Sequence, residues 1–228
     1  MGPKVKFKLN KRLDKETAAN FLGLSFGGVD FGAGILATHP ELKKTLKTRS
    51  KSLKKKMISD YVDNFYLIHN KELKETLAIM ESDWEKKEKM FFDTTNKIFN
   101  SFPWSKGKYI GYLSIFNCNP RFLRYKNFQI FYKNRKDFKR LIAHELLHFI
   151  FYSYLNKKCF NLSKNKKWVI SEIFNAIILN QRVFVKLISP AKELGYPEYK
   201  KETDLLTKEW ERYKIIDRWI QKAKKTVP

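Results

Sequence analysis

Two imidazoles four residues apart, with a carboxylate beside the first, can hold a metal ion and use it. Residues 144–148 read His144-Glu145-Leu146-Leu147-His148, which is that layout. On an α-helix, positions i and i+4 share a face one turn apart, so His144 and His148 would grip one cation together. Glu145 would stand beside that face, in reach of a water on the metal. The chain has only 4 histidines, and two of them fall in this pentapeptide. The bland alternative, a metal-free pair of histidines, would leave a buried His-Glu-His cluster with a large desolvation cost.

The flanking residues support a helix at this place. Asn127-Phe128-Gln129-Ile130-Phe131-Tyr132-Lys133 is aromatic and β-branched, as a strand would be. Asn134 is a suitable N-cap, and Asp137 suits the positive end of a helix. No Gly or Pro then interrupts the chain to about Asn156, and Phe138, Leu141, Ile142, Leu146 and Phe149 recur at helical spacing.

A catalytic zinc commonly takes three protein ligands and keeps one position open. No histidine follows His148, so an acid must complete the set. The apolar segment Trp168–Leu179 reads as a second helix and holds one acid, Glu172. A lone carboxylate among Ile170, Ile173, Phe174 and Ile177 is costly unless it is paired or bound to a cation. Metal ligation removes that cost; the alternative is an ion pair with a basic side chain of another helix. Glu193, Glu198 and Glu202 are weaker rivals, in a stretch punctuated by Pro and Gly.

On these residues the chain resembles the gluzincin branch of the zincin metallopeptidases, where H-E-x-x-H lies on one helix and a glutamate of a following helix completes the zinc site. The match is at His144, Glu145, His148 and Glu172, and it covers about 127–180. The resemblance implies an α+β, zincin-like fold, mostly helical, with a small mixed β-sheet above the motif helix. It also implies one Zn2+ ion held by His144, His148 and Glu172, with Glu145 as the catalytic base in hydrolysis of a peptide or protein substrate. An outer strand would pair with extended substrate. Gluzincins usually add a downstream Tyr or His donor; here Tyr196, Tyr199 and Tyr213 are the candidates. The chain departs from the pattern at Ala176, where many gluzincins carry an aspartate that supports a histidine. Asn175 either supplies a hydrogen bond in its place or is a simple polar contact.

A length of 228 residues suits a single domain. Its expected parts are a mainly helical N-terminal lobe (1–106), a sheet with the motif helix (107–160) and a C-terminal helical lobe with the glutamate ligand (161–228). Cys118 and Cys159 do not form a disulfide framework. No apolar run approaches a membrane span, and no basic-then-apolar leader opens the chain. The expectation is therefore a soluble, cytoplasmic protein.

The net charge is +24, from 47 basic and 23 acidic residues. The charge concentrates in Lys43–Lys56. Two readings apply: a solvated helical face, or attraction to an anionic partner such as nucleic acid or an acidic surface. No nucleic-acid-binding motif is present. Two other functions stay open: a basic nucleic-acid- or membrane-binding module with a non-catalytic metal site, and a zinc hydrolase of non-peptide amides or esters.

Other elements follow from pattern. Strands are expected at 5–9, 108–116, 121–126 and 127–133. Helices are expected at 14–22, 40–70, 71–100 and 202–224, the last with Leu205, Leu206, Trp210, Tyr213, Ile216 and Trp219 inward. The glycine-dense Gly23–Ile35 stretch suggests turns or a mobile loop, and it is neither a Walker loop nor a dinucleotide fingerprint. Ser189-Pro190 and Gly195-Tyr196-Pro197 are expected to break the chain. His39 and His69 have no second ligand type at chelate spacing and are read as ordinary residues.

Overall fold

The computed structural model describes residues 2–26, 28–158, 160–188, 192–193 and 195–228. Features read at Met1, Gly27, Cys159, Ser189 and Pro190 lie outside the described residues. The fold is α+β, mostly helical, with one small mixed sheet. The chain divides into two compact units, residues 5–82 with 108–138, and residues 1–4 with 83–107 and 139–228.

The first unit contains β1 (Val5–Leu9), α1 (Lys11–Phe21), β2 (Ser25–Phe26), β3 (Val29–Asp30), α2 (Phe31–Thr38), α3 (Lys43–Leu46), α4 (Lys51–Ile68) and the start of α5 (Asn70–Ile98). The strands β4 (Tyr109–Ser114), β5 (Arg121–Phe122) and β6 (Asn127–Phe131) follow. The sheet order is β1-β4-β6-β5, with β1 and β6 both parallel to β4 and β5 antiparallel to β6. In β1 the alternation is literal: Val5 and Phe7 are buried while Lys6 and Lys8 are exposed.

Asp14 of α1 is fully buried, and four donors satisfy it. Ser114 Oγ (2.6 Å) and Gln129 Nε2 (2.8 Å) donate to Oδ1; Tyr66 OH (2.7 Å) and the Ile115 N–H (3.4 Å) donate to Oδ2. This network ties α1 and α4 to the sheet.

Two expectations change in this unit. The glycine-dense stretch holds a helix, α2, whose first turn is capped by Asp30 Oδ1 accepting from the Ala33 N–H (2.9 Å). Its glycines serve close packing, because a Cβ on Gly32 would meet the Leu22 carbonyl at 2.3 Å and one on Gly34 the Asn117 carbonyl at 2.8 Å. The expected 40–70 helix is broken, since Ser50 takes an extended backbone and its side chain caps the new helix α4 by accepting from the Leu53 N–H.

The second unit holds the later part of α5, then α6 (Phe138–Lys157), α7 (Lys164–Leu179), α8 (Arg182–Ile188), α9 (Lys200–Tyr213) and α10 (Ile216–Thr226). Its core is aromatic. Phe174 of α7 stacks on Phe151 of α6 (ring centroids 4.6 Å) and meets Trp219 and Trp210 edge-on. Every residue of α7 from Val169 to Leu179 is buried. The expected 202–224 helix is a hairpin of two, because Lys214 takes a left-handed backbone (φ 51°). The turn lets Trp219 Nε1 donate to the Leu206 carbonyl (3.0 Å) and leaves Leu205, expected inside, exposed. Asn134 makes no side-chain cap bond, since its backbone enters a 3-10 turn (Arg135–Asp137) before α6. No single helix among the described residues is long and apolar enough to cross a membrane.

Candidate metal centre

The motif residues lie in mid-helix. His144, Glu145 and His148 belong to α6, which runs for 20 residues, and the two imidazoles are one turn apart. Glu172 comes from mid-α7, among Ser171, Ile173 and Asn175, all buried. Ser163 starts α7 by accepting from the Lys166 N–H (3.2 Å), which fixes where along the helix Glu172 falls.

The three side chains converge. His144 Nε2 and His148 Nε2 are 3.0 Å apart. Glu172 Oε2 lies 3.4 Å from His144 Nε2, and its Oε1 lies 3.5 Å from His148 Nε2. Both imidazoles thus turn the same nitrogen inward, and the carboxylate spans the pair. His148 has no solvent exposure; Glu172 and Glu145 each keep 5%. Among the described residues these three form the one group of ligand types close enough to share an ion.

No family model, curated protein or solved structure matches this chain. The reading of the site therefore rests on its own chemistry.

That chemistry fits a divalent cation. Bonds of about 2.0–2.2 Å at a tetrahedral angle separate ligand atoms by roughly 3.3–3.6 Å. The two carboxylate separations fall in that span, and the 3.0 Å between the imidazole nitrogens is shorter than it. Charge agrees as well. Glu172 and Glu193 both lie against the His144 ring, and the Arg140 guanidinium pairs with Glu193. Glu172 thus brings negative charge to the two imidazoles, as a cation requires. The pocket also draws positive charge in another form: burial works against a charged imidazole at His144, but Glu172 and Glu193 outweigh it and push the group up to about 10.

The structure places the weaker candidates elsewhere. Glu193 lies on the far side of His144, with Oε1 3.2 Å from Nδ1, off the line of a good hydrogen bond. Since Nε2 faces the other ligands, Glu193 cannot share their ion. Burial would raise the Glu193 carboxyl, but His144 and Arg140 hold it below its ordinary value. Glu198 sits in a 3-10 turn (Pro197–Tyr199), and Glu202 in the first turn of α9. Asn175 does supply a hydrogen bond, but its Nδ2 donates to the His144 carbonyl (2.9 Å), so it fixes the motif helix and not the imidazole.

Of the three tyrosines, Tyr213 is covered by the Arg218 guanidinium, 3.3 Å from its ring centre. Tyr196 and Tyr199 stand edge-on against Trp168, which precedes Glu172 by one turn on the same face of α7. A fourth tyrosine went unread in the sequence: Tyr152, one turn after His148, with its hydroxyl 3.5 Å from Ser171 Oγ and its ring 6.3 Å from the His148 ring. Its signal was present, as the same i, i+4 spacing that relates the two histidines.

The other histidines have structural roles. His39 is buried between Tyr61 OH (2.7 Å) and the Ile115 carbonyl (2.6 Å), and burial lowers its pKa. His69 stacks on Phe65 and pairs with Glu72.

Proposed function

We propose that this chain is a zinc-dependent metallopeptidase with a zincin-like site, in which His144, His148 and Glu172 hold the ion and Glu145 is the catalytic base. The supporting observation is the convergence of two Nε2 atoms and one carboxylate within 3.0–3.5 Å of one another.

When bound, zinc supplies Lewis acidity and acidifies water towards neutral pH. The protein's own groups supply the rest. His144 and His148 present lone pairs from one rigid face. Glu172 brings negative charge from a second helix. Glu145, nearly shielded from solvent, takes a proton from the attacking water and returns it to the leaving amine, a role worth about 10²–10⁴ in rate. The test is digestion of a mixed peptide library with and without chelator. Glu145→Gln should keep zinc and lose turnover by at least about a hundredfold. Equal cleavage by that variant overturns the role, and cleavage indifferent to chelator overturns the reading.

A second reading concerns a partner. Residues 43–59 carry eight basic side chains and no acid. Seven of the eight are exposed, Lys54 being the exception, and Leu46 and Leu53 stand exposed among them. Positive charge on the first turns of α4 opposes the helix dipole, a cost of roughly 0.3–1 kcal/mol per group that an anionic partner would relieve. The leucines favour an acidic lipid surface over nucleic acid, because they have apolar area to bury there. We propose that this stretch docks the enzyme on such a surface.

A further inference from the structure

We propose that Glu193 is a positioning residue of the metal centre: it faces His144 Nδ1 and so keeps that imidazole turned with Nε2 towards His148 and Glu172. The proposal rests on the metal reading above and adds a residue outside the motif.

Glu193 is held at its backbone and at one carboxylate oxygen. Arg140 precedes His144 by one turn of α6, on the same face, and its guanidinium meets Glu193 Oε2 at 2.5 Å. The main chain of Glu193 is bracketed by Asn180, the C-cap residue of α7: Glu193 N–H donates to Asn180 Oδ1 (2.9 Å), and Asn180 Nδ2 donates to the Glu193 carbonyl (2.9 Å). A residue between helices is thus tied to both helices that carry ligands. With its backbone fixed by Asn180 and one oxygen fixed by Arg140, the other oxygen stands 3.2 Å from His144 Nδ1, close enough for charge attraction though not aligned as a hydrogen bond.

A histidine ligand needs this. The ring has two nitrogens, and a proton on the wrong one removes the lone pair the metal requires. A carboxylate held beside Nδ1 favours the proton on that nitrogen and opposes a flip of the ring.

Ala176 explains why the acceptor comes from a loop. A Cβ on Gly195 would lie 3.3 Å from the Ala176 methyl, so the chain carrying Glu193 passes closely over that position. Two small residues, Ala176 and Gly195, make the approach possible. An acid at 176 would fill the space the loop uses. The carboxylate that a helix could have supplied is supplied by the loop.

The test measures zinc affinity by competition with a chromophoric chelator, on the whole chain, together with nitrogen NMR of the His144 ring. Glu193→Ala should weaken zinc by about 10–100-fold and give a mixture of ring tautomers. Glu193→Gln, which keeps an acceptor of the same shape, should retain the single tautomer and lose less affinity; it also serves if the alanine variant folds poorly. Wild-type zinc binding with unchanged affinity and tautomer in both variants overturns the proposal and leaves the metal reading standing. A wild type that binds no zinc overturns both.

Discussion

Replacing Glu172 by glutamine keeps the volume and burial of the side chain and removes one formal charge and one good ligand. An ion there then loses the one carboxylate among its three candidate ligands. A unit charge at about 4 Å is worth roughly 4 kcal/mol at an effective dielectric of about 20. Such a separation is longer than any bond the ion would make, so the figure is conservative. At about 1.4 kcal/mol per decade, full loss is a factor near 10³, and two thirds of it about 10². The expected result is zinc affinity lowered by about 10²–10³, read by chelator competition. A thermal melt gives the same answer independently. At zinc equal to about 100 times the wild-type Kd, the wild type gains about 2.7 kcal/mol. For a chain of this size that is roughly 5–11 °C in Tm. The variant, at or below its own Kd, should gain less than about 2 °C. A Glu172→Gln protein within threefold of wild-type affinity, with the same melting shift, would refute Glu172 as a ligand.

Asp14 gives a pH prediction. Burial pushes its carboxyl up to about 6, against the pull of its Ser114, Tyr66, Ile115 and Gln129 partners. A raised folded pKa means that the native state holds the proton more tightly; this stabilisation is full below about 3.9 and is lost as pH rises through about 6. Relative to Asp14→Asn, the wild type should lose roughly 2–3 kcal/mol between pH 4 and pH 7 in urea unfolding, and a difference independent of pH refutes it. Changing Lys51, Lys54, Lys55 and Lys56 to glutamine should weaken binding to vesicles containing phosphatidylserine by roughly 1 kcal/mol per residue, with weaker salt dependence. Binding that does not distinguish anionic from neutral vesicles, or variant from wild type, removes the lipid reading, and preference for DNA over vesicles replaces it with a nucleic-acid one.

Much of the frame was legible because it rests on local pattern. The strands at 5–9 and 127–133 showed their alternation and β-branching, and β1 and β6 formed there. The long α5 formed where the 71–100 helix was expected, with Leu73, Met80, Trp84 and Phe91 buried at helical spacing. Glu172 could be picked out because a single acid in an apolar helix is costly, and the structure brings it to the histidines. What failed was long-range or rested on one residue. The left-handed Lys214 carries no Gly or Pro signal, so the α9–α10 turn was hidden. Ser50 announced a cap, but the basic run around it masked the break. α2 was misread because glycine marks close approach as well as looseness. Glu193 lies in a loop without periodicity, and only the paired anchors Arg140 and Asn180 show where it goes.

The burial of α7 from Val169 to Leu179 shapes what a mutational scan would read there. Eleven consecutive positions, Val169–Leu179, have no side facing water. A saturation library would therefore register intolerance along the whole segment, with Ile173 and Phe174 scoring as badly as Glu172 for reasons of volume alone. Depletion of variants there would mimic a functional hot zone while reporting on packing. Only shape-preserving exchanges, scored for bound ion as well as for abundance, separate a carboxylate that holds an ion from the hydrocarbon that surrounds it.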